Sequence, residues 1–390
     1  MMNRVYLDWN ATTPLRPEAK AAMAAAWELF GNPSSVHAEG RQARRLIEDA
    51  RAALAGAVGA VPRNVVFTSG GTEANALALS PGLRGGSGAP LQRLLVSAVE
   101  HPSVMAGGRF APVAMSRIAV TRSGVVDLSD LRARLASGQP ALVSIMAANN
   151  ETGALQPIHE AVRIVHEAGG LLHVDAIQAL GKIPLDIKEI GADLLSVSGH
   201  KIGGPKGIGA LVIAEGLSGV EPLLRGGGQE RGHRAGTENV AGIAGFGAAV
   251  KAALAAMEAD RPRLEALRSR LEAGLRQTPG GGALIFAEDA PRLPNTTLFT
   301  VRGLRAETAV IGFDLEGVAV SSGSACSSGK VQPSHVLEAM GFGPDLAQGA
   351  VRLSLGWSTA ETDVDSALQA WRKLARTLIK GGDETRLERF

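Results

Sequence analysis

The fold class is decided by residues 173–201, which read HVDAIQALGKIPLDIKEIGADLLSVSGHK. Asp175 follows the apolar run 171–174 directly. Lys201 closes the segment after a second apolar run, 192–197, which a single aspartate interrupts. Two short β-type runs that each end in ionisable residues are typical of an α/β sheet whose site lies at the carboxyl ends of its strands.

An aspartate and a lysine that meet at such an edge favour an enzyme that uses pyridoxal 5'-phosphate (PLP). In that chemistry the lysine binds the cofactor as a Schiff base, and the acid keeps the pyridine nitrogen protonated so that the ring accepts electrons. Each residue also has an ordinary alternative, because an aspartate after a strand often caps a turn and most lysines are solvated. The rest of the chain has to decide between these readings.

The composition bounds the class of protein. The chain has 390 residues, of which 45% are hydrophobic, 4% are aromatic and 49 are glycine, and this predicts a globular α/β protein of two domains. Its 40 basic and 38 acidic residues give a net charge of +2, so no broad basic field favours nucleic acid or a membrane surface. No apolar run reaches the ~18 residues of a membrane span. The N-terminal sequence has no apolar signal core, and we expect a cytoplasmic protein.

Cys326 is the only cysteine, which excludes an intrachain disulfide and CxxC metal or redox sites. HExxH is absent as well, and no glycine run matches GxGxxG or GxxxxGK[ST], so Rossmann and Walker A sites lose support. Cys326 lies in the segment 321–330, SSGSACSSGK, which has no apolar periodicity that would bury it. We therefore predict an exposed, flexible loop rather than a small buried hydrophobic residue.

A strand–loop–helix unit near residue 70 is the second informative stretch. Val65–Phe67 predicts a buried strand, residues 68–73 read TSGGTE, and an apolar helix is predicted from about Glu73 to Leu79. Hydroxyl residues and glycines at a helix N-terminus, where backbone N–H groups are free, are typical of a phosphate site. The sequence favours equally the ordinary reading that Thr72 caps the helix.

Further polar residues follow predicted strands. His101 comes after the strand Leu94–Val96, and the pair Asn149–Asn150 comes after the strand Ala141–Met146. The histidine is either a core or surface residue or a ring that stacks on a cofactor, and the asparagines are either turn formers or hydrogen-bond donors in a site. Strands and helices alternate from about residue 60 to 215, which predicts a mainly parallel sheet with right-handed crossovers.

Two later stretches bear on anion binding and domain organisation. Residues 224–237 form a glycine-rich loop with three arginines, which is either a plain linker or an anion contact. A long helix is predicted from Glu238 to about Arg276 and is expected to connect two domains. We predict a large cofactor-binding domain over residues 16–255. Residues 1–15 and 256–390 would form a smaller domain that carries the cysteine loop.

Ten motifs, read in order along almost the whole chain, resemble those of the cysteine desulfurases in the class-V aminotransferase group of PLP enzymes. They are YLDWNATTP, FGNPSS, VFTSGGTEAN, VEHPSV, NNETG, HVDAIQ, SVSGHKIGGPKGIG, GGGQERGHRAGT, SSGSACSSG and VRLSLGWST. The resemblance implies the α/β fold of fold-type-I PLP enzymes. In that fold, a large domain with a mainly parallel seven-stranded sheet is joined to a smaller α+β domain.

The resemblance also implies roles for the matching residues. Lys201 is implied as the Schiff-base lysine, and Asp175 as the partner of the pyridine nitrogen. His101 is implied to stack on the ring and to help move protons. Arg352 would hold the substrate carboxylate, where a planar bidentate donor fits. Cys326 would be the nucleophile.

The remaining contacts that the resemblance implies surround the cofactor. Gln178 would bond its phenolic oxygen, with Asn150 beside it and near the substrate. The implied phosphate contacts are Gly71, Thr72, Ser198 and His200. Thr237 matches a phosphate contact that reaches over from a second subunit, so the resemblance implies a homodimer.

The implied reaction converts L-cysteine to L-alanine and leaves a persulfide on Cys326. The persulfide would pass to an acceptor for iron–sulfur cluster assembly, in a housekeeping or a nitrogenase-dedicated role, and Cys326 would serve as a transient cluster ligand. The alternatives are a selenocysteine lyase and a related class-V aminotransferase, and the latter would not need Cys326 on a loop. A non-catalytic sulfur-acceptor scaffold would be expected to lose Lys201 or Cys326, and both are present.

Overall fold

The structure is a computed structural model, and its described residues do not include the predicted nucleophile. They are residues 4–84, 88–136, 138–278, 282–323 and 334–379. Of the loop predicted over residues 321–330, Ser321–Ser322 instead form a short strand, whereas Cys326 and the rest of the segment, 324–330, lie outside the described residues. The predicted exposure and metal contacts of Cys326 therefore stay predictions.

The described residues alternate between strands and helices as the sequence predicts. The strands are β1 (Val5–Tyr6), β2 (Val65–Thr68), β3 (Leu94–Ser97), β4 (Met115–Ile118), β5 (Leu142–Met146), β6 (Leu171–Asp175), β7 (Leu194–Ser198), β8 (Gly209–Ile213), β9 (Leu284–Ile285), β10 (Thr296–Thr300), β11 (Val318–Ala319), β12 (Ser321–Ser322) and β13 (Val351–Ser354). The helices are α1 (Pro17–Trp27), α2 (Ala38–Ala57), α3 (Gly71–Ala78), α4 (Pro102–Met105), α5 (Leu128–Leu135), α6 (Ile158–Glu167), α7 (Ile187–Ile190), α8 (Val240–Arg276), α9 (Ala306–Leu315), α10 (His335–Ala339), α11 (Pro344–Ala347) and α12 (Glu361–Leu378).

Seven strands form one large sheet in the order β2-β8-β7-β6-β5-β3-β4. All neighbours from β4 to β7 pair in parallel, and only β8 runs against its neighbours β7 and β2. The strands β5 to β8 are buried along their whole length, because helices cover both faces of the sheet. The predicted seven-stranded, mainly parallel sheet is confirmed.

The second region is built around a smaller antiparallel sheet in the order β12-β13-β10-β9. The first strand of the chain, β1, pairs in parallel with β11 and so ties the N-terminus to the C-terminal half. The apolar core of the large sheet draws on residues between Ala19 and Ala253. The core of the small sheet combines Val5 and Leu7 with residues from Leu264 onward. This division is in keeping with the predicted domain bounds, which stay a prediction.

Helix α8 runs from one core to the other. Its first half buries residues such as Phe246 against α1, α2 and the large sheet, and its second half buries residues such as Leu271 against α12 and the small sheet. Pro262 lies between these halves, at a position where a proline removes one helical hydrogen bond. The helix is long and apolar enough to cross a membrane, but it uses its apolar side chains in these two cores.

Candidate active site

A cavity of about 250 Å³ opens where the carboxyl ends of β5, β6 and β7 meet the N-terminus of α3. This is where ligands bind in open α/β sheets. Ten of the twelve predicted site residues line it: Gly71, Thr72, His101, Asn150, Asp175, Gln178, Ser198, His200, Lys201 and Arg352. The structure therefore brings the predicted acid, lysine, histidine and arginine together in one place.

Lys201 reaches the cavity from a short 3₁₀ helix, Gly199–Lys201, that directly follows β7. Its Nζ donates hydrogen bonds to the carbonyl oxygens of Asn10, at 2.6 Å, and Ala11, at 2.8 Å. An amine in this position fits the aldehyde of PLP, because it lies on the cavity wall and its side chain is only half-buried. The strand end, rather than a solvated surface, thus positions the lysine.

Asp175 ends β6 and is buried beside the same cavity. Its carboxylate accepts hydrogen bonds from the Ile177 backbone N–H at 3.0 Å and from Asn75 Nδ2 at 2.8 Å. Burial raises the pKa of Asp175, whereas these hydrogen bonds and the nearby His101 and Lys201 act in the opposite direction. A buried carboxylate held by two donors fits a protonated pyridine nitrogen, which would supply the opposite charge.

His101 is linked to Asp175 by a chain of hydrogen bonds. Asn75 Nδ2 donates to Ser103 Oγ at 2.9 Å, and Ser103 contacts His101 Nδ1 through its hydroxyl at 2.7 Å and its backbone N–H at 3.1 Å. Because a backbone N–H donates to Nδ1, the proton of the neutral ring lies on Nε2. Burial lowers the pKa of His101. The charge of Asp175 opposes this shift, whereas the charges of Lys201 and His335 add to it. The lowered pKa favours the neutral ring.

The N-terminus of α3 supplies a site for an anion. The N-cap residue is Gly70, which has no side chain that could cap the helix. The ordinary reading that Thr72 caps the helix is therefore wrong. The first backbone N–H groups of a helix lack helical partners. Ser198 Oγ is buried beside them without a hydrogen-bond partner, and burial lowers the pKa of His200 to about 4. A polar hydroxyl without a partner and free N–H groups fit the phosphate of PLP.

Arg352 enters the cavity from β13 of the small sheet and is almost fully buried. Its Nη1 donates to the carbonyl oxygen of Asn150 at 3.0 Å, and its Nη2 donates to Asp8 Oδ1 at 2.8 Å. Its Nε is buried without a hydrogen-bond partner. A fixed guanidinium with donor capacity left fits a carboxylate ligand, and the partner Asp8 was not predicted.

Asn10 and Asn75 are functional-site residues that the sequence analysis missed. The carbonyl oxygen of Asn10 accepts from Lys201 and also from Gln178 Nε2, at 2.9 Å. Asn75 joins Asp175 to the His101 chain from inside helix α3. The signal for Asn75 was present, because asparagine is a poor helix former and this one interrupts an apolar helix. For Asn10, only its place in a loop rich in polar residues was visible.

Two predicted site residues do not line the central cavity. Thr237 is exposed and lines a separate depression, together with Ser69 and Asn239. Cys326 lies outside the described residues, so its predicted role as nucleophile and cluster ligand stays a prediction. Among the residues that the structure describes, no three His, Cys, Asp or Glu side chains are grouped in a way that would hold a metal ion.

Comparisons with known proteins agree with this arrangement. The family model described as aminotransferase class-V matches residues 5–367. A cysteine desulfurase IscS of Dictyoglomus turgidum is 41% identical over 384 residues, which cover 97% of this chain and 96% of that relative. A cysteine desulfurase of Cereibacter sphaeroides is 44% identical over 376 residues, which cover 94% and 95% of the two chains.

The solved structures lead to the same family. The X-ray structure of a NifS-like protein from Rickettsia africae aligns with a TM-score of 0.87 and 36% identity, covering 96% of this chain and all of that one. The predicted fold, the α/β architecture of fold-type-I PLP enzymes, is thereby confirmed. With the family model matching most of its length, this chain belongs to the class-V aminotransferase family.

Proposed function

We propose that this chain is a PLP-dependent cysteine desulfurase, which takes sulfur from L-cysteine and releases L-alanine. One observation carries the proposal: Lys201, Asp175, His101 and Arg352 converge on a single cavity of about 250 Å³. The curated relatives that cover nearly the whole chain at 41% and 44% identity are named cysteine desulfurases, which supports this activity over other PLP reactions.

The residues of the cavity divide into two ends. At one end, Gly71, Thr72, Ser198 and His200 would hold the phosphate. At the other, Asp175 would face the ring nitrogen and Gln178 the phenolic oxygen, with Lys201 bound to the aldehyde carbon. When bound, PLP supplies an electron sink for bond changes next to the amino group of the substrate.

The remaining groups act on the substrate itself. Arg352 would bind its carboxylate, since Asp8 and the Asn150 carbonyl already fix the guanidinium in the cavity wall. Lys201 Nζ and the His101 ring are the cavity groups that would hold and move protons near the substrate Cα. The neutral form of His101, which burial favours, suits a group that takes and returns a proton.

The sulfur transfer is assigned to Cys326 from its sequence context and from the resemblance to the family. Its thiolate would form a sulfur–sulfur bond with the substrate thiol sulfur. The carbon–sulfur bond breaks, its electron pair stays on the carbon, and that carbon gains a proton to become the methyl group of L-alanine. The sulfur atom is oxidised to the persulfide level while the carbon is reduced, so no outside oxidant is needed. The persulfide then passes to an acceptor for iron–sulfur cluster assembly.

A homodimer forms part of the proposal. Thr237 is exposed and lies outside the central cavity of its own chain, which suits a phosphate contact in the cavity of a second copy. Trp27, Phe30 and Val36 are large apolar side chains that are 69%, 88% and 87% exposed, which suits an interface. Sedimentation should give twice the chain mass, and Thr237→Val should weaken PLP binding without changing that mass.

The activity is tested on the purified wild type and on Cys326→Ala. We expect a yellow wild-type protein that releases alanine from L-cysteine, and a variant that stays yellow but yields almost no alanine. A colourless wild type after incubation with PLP would refute the assignment of Lys201. A yellow variant with unchanged turnover would show lyase or transaminase chemistry, with Cys326 a bystander.

A further inference from the structure

A second lysine lies behind the wall of the cofactor cavity, where neither the motifs nor the proposed reaction gives it a role. Lys182 follows Gln178 by four residues, in the segment between β6 and α7. The residue is half-buried and lines a small second cavity of about 50 Å³, which Lys201 also lines. Burial and the charges of Lys201 and Arg352 lower the pKa of its amine well below the ordinary value.

The contacts of the Lys182 amine form a closed ring with two buried amides. Its Nζ donates to Gln178 Oε1 at 2.7 Å and to Asn10 Oδ1 at 3.1 Å. Gln178 Nε2 in turn donates to the carbonyl oxygen of Asn10 at 2.9 Å. Both amides are buried. Without Lys182, Gln178 Oε1 would lose this donor, whereas Asn10 Oδ1 would keep the hydrogen bond that it accepts from Asn295 Nδ2 at 3.1 Å.

Only one orientation of each amide satisfies this ring. Asn10 Nδ2 donates to the Asn150 carbonyl oxygen at 3.2 Å, and a carbonyl only accepts, so Asn10 Oδ1 has to face Lys182. Gln178 Nε2 faces the Asn10 carbonyl for the same reason, which leaves Gln178 Oε1 toward Lys182. A neutral amine keeps two N–H donors, and these two acceptors need no more. The ring therefore does not depend on the charge of Lys182.

The fixed orientation has a consequence for the cofactor cavity. Gln178 lines that cavity, and one N–H of its Nε2 is committed to Asn10, so the second N–H is the group it presents there. The same Asn10 carbonyl oxygen accepts from Lys201 Nζ at 2.6 Å. We propose that Lys182 is a positioning residue that, together with the Asn10 carbonyl oxygen, holds Gln178 as a hydrogen-bond donor toward the phenolic oxygen of the cofactor. The inference rests on the proposed PLP function, which it deepens.

The test compares Lys182→Met with Lys188→Met, an exposed lysine that serves as the matched control. Two properties of the PLP-loaded proteins are measured at one fixed pH: the dissociation constant of PLP and the ratio of visible to near-ultraviolet cofactor absorption. In Lys182→Met we expect about tenfold weaker PLP binding, because a change of this size corresponds to the loss of one hydrogen bond. We also expect a smaller share of visible absorption, because the anionic phenolic oxygen loses its donor. Lys188→Met should match the wild type in both.

A double-mutant cycle shows whether Lys182 acts through Gln178. In a Gln178→Leu background, Lys182→Met should add almost nothing to the loss of PLP affinity. A full additional loss in that background would overturn the inference, as would a Lys182→Met protein with wild-type affinity and absorption. If Lys182→Met does not fold, Lys182→Arg is measured in its place. Visible cofactor absorption close to that of the wild type then supports the inference, and loss of the visible band opposes it.

The failure of this inference is distinguishable from the failure of the proposed function. A wild-type protein that stays colourless with PLP refutes the function, and the inference falls with it. A yellow wild type whose spectrum and affinity do not change in Lys182→Met refutes the inference alone. Thermal unfolding of the cofactor-free proteins is the accompanying measurement, and it shows whether Lys182→Met is folded.

Discussion

Asn75 offers the sharpest test of the charge arrangement in the cavity. The substitution Asn75→Leu keeps the number and branching of the side-chain heavy atoms but removes both donated bonds, to Asp175 Oδ2 at 2.8 Å and to Ser103 Oγ at 2.9 Å. The bond to the buried carboxylate is the larger loss, since hydrogen bonds to charged groups contribute about 1.5–3 kcal/mol and neutral ones about 1 kcal/mol. Asn75 Oδ1 has no partner, so its removal offsets about 1 kcal/mol of this. The net expected loss is about 2 kcal/mol at pH 8.

The sign of the pH dependence follows from Asp175. Burial raises its pKa in the folded chain, so the ionised form costs stability, and that cost grows as the pH rises through the folded-state pKa. Without the Asn75 bond, which favours the carboxylate, the cost of ionisation is larger. We therefore expect Asn75→Leu to be more destabilising at pH 8 than at pH 5, where more of the Asp175 side chain is protonated.

The assay is urea unfolding of the cofactor-free protein at both pH values. The control is Asn295→Leu, because Asn295 is equally buried and also donates two hydrogen bonds, to Asn10 Oδ1 and to the Leu355 carbonyl oxygen, which are both neutral. Its loss of stability should be the same at pH 5 and pH 8. The reasoning is refuted if Asn75→Leu shows the same loss at both pH values, or if the control shows the larger dependence on pH.

Three further substitutions have expected outcomes. Arg352→Lys should raise the KM for L-cysteine about 30-fold with the yellow colour retained, because a lysine has no planar fork for a carboxylate; steady-state alanine release measures this. Ser198→Ala should stabilise the cofactor-free protein by about 1 kcal/mol, since its buried hydroxyl has no partner, yet weaken PLP binding about fivefold in a titration. Burial raises the pKa of Glu151 to about 7. Because that value lies above the ordinary 4.5, folding stability falls as the pH rises from about 4.5 through 7. Glu151→Gln should lack this fall. Its free energy of unfolding in urea, relative to that of the wild type, should therefore rise by up to about 3 kcal/mol between pH 5 and pH 8.

The strand ends were predictable because their signals are local. Asp175 directly follows one apolar run and Lys201 comes four residues after the end of a second, and the carboxyl ends of neighbouring parallel strands meet at one edge of a sheet. The direction of β8 was predictable too, although the alternation pattern did not give it. Only residues 199–208 separate β7 from β8, too few for the crossover that a parallel neighbour needs.

The hydrogen bonds that orient the site were not predictable, because they join segments that are remote in sequence. Asp8 is 344 residues away from Arg352, and Asn10 is 191 residues away from Lys201. No periodicity or spacing records such contacts. Thr72 was ambiguous for a different reason: a glycine N-cap contributes no side chain, so Thr72 was the visible candidate and Gly70 was not.

These remote contacts share one feature, which is that the N-terminal loop supplies them. The Asn10 and Ala11 carbonyls hold Lys201, whereas Asp8 holds Arg352, and Asn10 Nδ2 bonds Thr296 Oγ1 of β10 at 2.9 Å. Lys201 lies in the short 3₁₀ helix that follows β7 of the large sheet, and Arg352 lies in β13 of the small one. One short loop therefore fixes the distance between the lysine that would bind the cofactor and the arginine that would bind the substrate. Because that loop is anchored by β1 to β11 of the small region, the geometry of the cavity depends on how the two regions are joined.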